Sequence, residues 1–156
     1  FALKVVVVAS GAYLLAGGLA YQLLTKQFYV GDAATFAGFL RSESNPEQWA
    51  HVVAWQFPAL IGRSVLIALA LLPFREALIA FSPQKRTATL FVLFFVVMHL
   101  AAAAPSPSNI EGLVYMRPEF VNASAFLLTQ PEMVGQCLLM ALGISRWACA
   151  TPSARQ

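Results

Sequence analysis

Three ionisable residues, Arg63, His99 and Glu132, stand inside or at the edge of long apolar stretches. A charge or an imidazole in hydrocarbon is costly unless it is paired or hydrated, so residues of this kind mark polar sites. Together they offer a guanidinium to hold an anionic headgroup, an imidazole to move a proton and a carboxylate to answer either. Each also has a plain structural use. Arg63 can snorkel toward headgroups, one neighbouring carbonyl can satisfy His99, and Glu132 suits the first turn of a helix, where an acid meets the positive end of the dipole.

A second group, Glu111, Tyr115, Arg117 and Glu119, falls in the segment PSPSNIEGLVYMRPEF at 105–120, which is dense in hydrogen-bonding side chains. These residues could cover a lipid headgroup or small ligand with acid, base and anion-binding groups. The simpler expectation is a solvated loop tied by Arg117 to Glu111 or Glu119, a kind of contact that contributes about 0–1 kcal/mol. Pro118 disfavours a helix running through Arg117.

His51 and His99 are the only histidines. Two imidazoles on different helices could ligate a haem iron axially, but no CxxCH accompanies them, and no metal or cofactor is assigned. Cys137 and Cys149 lie 12 residues apart without CxxC spacing and read as packing residues. Gly62-Arg63-Ser64 is not a GxSxG elbow, and the chain has no P-loop, GxGxxG, HExxH or prenylation box. Asn122-Ala123-Ser124 matches a glycosylation acceptor but lies against an apolar segment.

The elements that must position these residues are written in the composition. Of 156 residues, 59% are apolar and 11% charged, whereas a soluble domain carries about 25% charged residues. Mean hydropathy is +0.69 and the pI is near 9.1. The formal charge of +3 is spread without any basic cluster longer than Lys85-Arg86, so nucleic acid is not an expected partner. The expected fold is an all-α integral membrane protein, a single membrane domain over residues 1–156. Four transmembrane helices form an up-down bundle, with short surface helices in the two outer loops.

The spans are expected near 4–24, 51–74, 87–104 and 131–147, joined by an outer loop at 25–50, an inner connection at 75–86 and a second outer loop at 105–130. Lys4 followed by Val5 to Ala20 resembles a signal peptide in pattern but reads as a retained helix. Within the first outer loop Ala33 to Leu40 predicts a short surface helix, and Ser44 with Glu47 around Pro46 predicts a helix start. Pro105-Ser-Pro107 should stop the third helix, and Thr129-Gln130-Pro131-Glu132 resembles a cap opening the fourth.

Six Lys and Arg (Lys4, Arg75, Lys85, Arg86, Arg146, Arg155) fall on the side of the tails and the second connection, against three (Lys26, Arg41, Arg117) on the other. By the positive-inside rule both termini face the cytoplasm, across a plasma or bacterial inner membrane. At 1.5 Å per residue His99 then lies roughly 18 Å along an outward-running helix. Arg63 follows Pro58 on a helix entering from outside, and Glu132 opens the fourth helix at that face. The three are expected to meet in the outer half of the membrane.

Ala9, Ala12, Ala16, Gly17 and Ala20 place small side chains along one stripe of the first helix, where another helix can approach closely. Such stripes and exposed aromatic runs suit a non-catalytic accessory or scaffolding subunit of a larger membrane assembly. Its partners would be the lipid bilayer and other membrane subunits or further copies of itself. The alternative is a membrane-embedded enzyme, or a cofactor- or lipid-binding protein, with a polar site at the outer ends of helices two to four. Transport by a single chain fits poorly with the apolar inward halves of the helices.

Overall fold

The computed structural model describes residues 1–31, 34–121 and 123–150. Asp32, Ala33, Asn122 and the tail that carries Arg155 lie outside the described residues, and with them the start of the surface helix at Ala33 and the glycosylation pattern at Asn122.

Among the described residues every regular element is helical. The first, α1 (Ala2–Ala20), runs on through a widened π turn (Tyr21–Thr25) and a 3-10 turn (Lys26–Phe28). No charge interrupts it between Lys4 and Lys26. α2 (Pro46–Leu71) starts at Asn45, whose Oδ1 accepts from the backbone N–H groups of Glu47 and Gln48, with Pro46 at the first helical position. The cap is therefore Asn45 and not Ser44, because Ser44 is engaged with Ser42. Through a single 3-10 turn (Leu72–Phe74) α2 continues into α3 (Arg75–Ala80).

The expected inner connection at 75–86 is thus almost wholly helical. Pro73 does not end the helix, because it falls in the first turn of the new segment, where a missing N–H breaks nothing. The chain turns only at Phe81 and Ser82 before α4 (Pro83–Val92), whose cap is the Ser82 hydroxyl accepting from Lys85 N–H. A π-helical stretch (Leu93–Leu100) extends α4. It stops ahead of Pro105-Ser-Pro107: the Asn109 amide takes the carbonyls of Ala102 and Ala104, drawing that backbone out of the helix.

A short surface helix, α5 (Ile110–Tyr115), follows, and a 3-10 turn (Thr35–Gly38) occupies the other long loop. The last helix, α6 (Ala123–Gly143), extends as a π segment (Ile144–Ala148). It begins well before the expected start at 131. Thr129 is not a cap but donates back to the carbonyls of Ala125 and Phe126, so Pro131 and Glu132 are interior to the helix.

Three helices are long and apolar enough to cross a membrane, Ala2–Phe28, Pro46–Ala80 and Ala123–Ala148. The helix from Pro83 to Leu100 has an uncharged part, Thr87 to Leu100, of only about 21 Å at 1.5 Å per residue, against a hydrocarbon core of about 30 Å. α1 packs between α2 and α6, and α6 between α1 and α4. Neighbours run antiparallel: Ser10 meets Ser64 at 3.0 Å, and Lys4 Nζ reaches the Trp147 carbonyl at 3.2 Å. The core joins Val5, Ala9 and Ala12 to Leu71, Leu90, Phe94, Met140 and Ile144.

Among the described residues one charged side chain, Arg86, is buried. Arg86 donates from Nε to Leu78 O, from Nη1 to Ser145 O (2.7 Å) and Cys149 O (3.3 Å), and from Nη2 to Ile79 O (3.0 Å) and Phe81 O (2.9 Å). These carbonyls terminate α3 and the α6 extension, where partial negative charge collects. A guanidinium fork is suited to tying several oxygens at once.

Candidate functional site

At the other end of the bundle a cavity of about 650 Å³ opens between α1, its extension and α2. Tyr13, Tyr21, Tyr29, Trp49 and Trp55 give it an aromatic wall, while Arg63 and Glu132 bring opposite charges. Arg63 lies about 25 Å along α2 at 1.5 Å per residue, deep for a charge, and its Cζ is 4.8 Å from the centroid of the Tyr13 ring. Glu132 enters from α6 past Gly17, where a Cβ would stand 3.4 Å from its Oε1. No ion pair within 4.0 Å joins Arg63 to Glu132, and neither has a hydrogen bond from its side chain among the described residues.

The mouth is held by Lys26, whose Nζ is 3.2 Å from Glu43 Oε1. Ser42 there donates its hydroxyl to Tyr29 O at 2.8 Å. Burial first, and the Glu132 carboxylate second, push the Tyr29 phenol up to about 12, so this group is a neutral hydrogen-bonding hydroxyl at ordinary pH.

Arg63 also lines a smaller cavity of about 180 Å³ on the α4 side, which His99 lines as well. The three residues singled out from the sequence are therefore split: Arg63 borders both cavities, Glu132 the larger and His99 the smaller. Glu132 is an interior residue of α6, not a first-turn acid. His51 is exposed, 6.4 Å from the Trp55 ring, and lines the larger cavity, so the two histidines do not share a cavity.

Glu111, Tyr115, Arg117 and Glu119 line neither cavity. Arg117 pairs with Glu119 at 3.3 Å in the open, which contributes little. Their loop is fixed instead by Asn109, which accepts from Ser106 N–H and Gly112 N–H, and by Gln130, which donates to Ser108 O. Along α1, Ala9, Ala12 and Ala20 are buried and Ala16 and Gly17 half-buried. Gly135 faces Ala16, and a Cβ on Gly143 would stand 2.6 Å from Val8 Cγ1, so small residues on α6 also set that approach.

Sequence reasoning missed Tyr13 as the support of Arg63 and Arg86 as the tie between helix ends. The first was legible as an aromatic residue on an otherwise apolar helix; nothing local announced the second. No protein family, curated protein or solved structure matches the chain.

Proposed function

We propose that this is a four-span membrane protein with both tails on the cytoplasmic side, which holds a phospholipid by its headgroup in the α1–α2 cavity and serves an assembly without itself doing chemistry. The observation that carries the reading is the pair of opposite, mutually unpaired charges, Arg63 and Glu132, on one aromatic-walled cavity. Unpaired charge at this depth is costly, and a ligand bearing both signs removes the cost at both residues. A phosphate answers Arg63, and an ammonium answers Glu132 and the aromatic faces. The helix from Pro83 to Leu100 is the fourth span in this reading, its short apolar part matched by local thinning of the bilayer or by flanking residues.

Service within an assembly is favoured by α2. It packs mainly against α1 and leaves Trp55, Phe57 and Leu66 exposed along its length. These faces suit another membrane helix as well as lipid.

Native mass spectrometry of the chain released from vesicles of phosphatidylethanolamine and diacylglycerol tests the reading. One phosphatidylethanolamine is expected to stay with the wild type and to be lost from Arg63→Gln, with diacylglycerol not retained. Equal retention of both lipids, or unchanged retention by Arg63→Gln and Glu132→Gln, contradicts it. Soluble phosphoethanolamine that displaces the lipid would show that the headgroup alone is read.

A further inference from the structure

The smaller cavity collects the soft ligands of the chain. Of four methionines in the sequence, Met98, Met133 and Met140 line it, with one of the two cysteines, Cys137, and one of the two histidines, His99. Met133, Cys137 and Met140 are spaced four and three residues apart on α6, so their side chains share one face. Met98 and His99 come from the π-helical extension of α4, a widened geometry often found at functional positions. His99 lines the cavity, and its Nε2 is buried without a hydrogen bond of ordinary geometry, with the Gln130 side chain close enough to act on the ring. A buried ring nitrogen left without such a bond in a native fold calls for an explanation.

We propose that this cavity is a binding site for a monovalent soft metal ion, Cu(I), held by His99 Nε2 and by sulfur from Met98, Met133, Cys137 and Met140. Thioether and thiolate ligands select Cu(I) over harder ions, and imidazole is compatible with it. The lining contains no carboxylate, which disfavours magnesium, calcium or manganese. No group of three His, Cys, Asp or Glu among the described residues is placed to hold a metal, so a zinc set is not offered; the methionines complete this one. The ion carries one positive charge, and Cys137 loses its thiol proton on ligating it, so ion and thiolate together add no net charge beside Arg63. Arg63 itself is drawn toward Tyr13 on the other side. Binding involves no change of oxidation state. The site shares Arg63 as a wall residue with the proposed lipid cavity but draws none of its ligands from it, so it does not depend on that reading.

The test uses the full chain in detergent under anaerobic conditions, titrated with Cu(I) against a chromophoric Cu(I) chelator. One ion per chain is expected. The near-isosteric Met133→Leu/Met140→Leu pair should weaken binding at least about tenfold, and His99→Ala should remove the nitrogen neighbour from the copper X-ray absorption spectrum. Met116→Leu and His51→Ala, both outside the cavity, should bind as the wild type does. Failure of the wild type to take up one ion overturns the proposal, as does equal weakening in Met116→Leu. Should the double variant not fold, the wild-type absorption spectrum decides: sulfur with one nitrogen neighbour supports the site, and nitrogen or oxygen alone overturns it.

Discussion

The Arg63 guanidinium lies over the Tyr13 ring, its Cζ 4.8 Å from the centroid, and this contact joins α2 to α1 on the wall shared with Glu132. A cation held by a ring face keeps its hydrogen-bond donors in plane and free for a ligand. Replacing the ring therefore changes the ligand site without removing its charge. Tyr13→Leu should weaken phospholipid retention by roughly two- to thirtyfold, the range spanned by cation–π contacts. Tyr13→Phe should leave it unchanged, and quantitative native mass spectrometry reads both.

Arg86 supports a second prediction. Its five donated bonds go to backbone carbonyls of α3, its exit and the α6 extension, so Arg86→Leu would leave several buried acceptors without partners. Each such loss costs about 1–3 kcal/mol. A marked fall in Tm of the detergent-solubilised chain is expected, with only partial recovery in Arg86→Lys, because an ammonium has three donors and no planar fork.

The α1–α6 contact makes a third. Gly143→Ala brings a Cβ to 2.6 Å from Val8 Cγ1, an overlap that should cost about 1–3 kcal/mol. Val8→Ala in the same chain should recover part of the loss. At Gly18 nothing lies within 4 Å of an added Cβ, so Gly18→Ala should leave Tm unchanged or raise it by the helix propensity gained. Thermal unfolding of the four chains checks the pattern.

In the loop after the α4 extension, Gly112 has the Ser106 carbonyl so near that an added Cβ would fall 1.7 Å from its oxygen. Gly112→Ala should force α5 out of position. Asn109→Ala should do similar damage by freeing Gly112 N–H and the Ala104 carbonyl. Both variants should show faster proteolysis within 105–120 than the wild type.

Much of the scaffold was legible in the residues. Long apolar runs mark α1 and α6, and the small side chains of α1 mark the face that α6 approaches, because hydrocarbon demands long apolar helices and their close contact demands small residues. The junctions were less so. Boundaries expected near 74 and 131 are not there: Pro73 falls in the first turn of a 3-10 segment that carries the helix on, and Pro131 lies inside α6.

For the sites, Arg63 and Glu132 were legible as charges in apolar surroundings. Their partners were not, since the approach of Tyr13 depends on the pairing of α1 with α2. Met133, Cys137 and Met140 lie on one face by spacing alone, but only the fold adds Met98 and His99. Arg86 read as one more positive charge on the cytoplasmic side; its role comes from chain ends far apart in sequence.

The account rests on four crossings of the bilayer, and site-directed labelling measures that most directly. In a background lacking Cys137 and Cys149, single cysteines at Ser44→Cys, Gln84→Cys and Glu119→Cys would be exposed to a membrane-impermeant maleimide on intact cells. Labelling of Ser44→Cys and Glu119→Cys, with Gln84→Cys reacting only after permeabilisation, is the result expected. Reaction of Ser44→Cys and Glu119→Cys from opposite sides would mean three crossings and would contradict it.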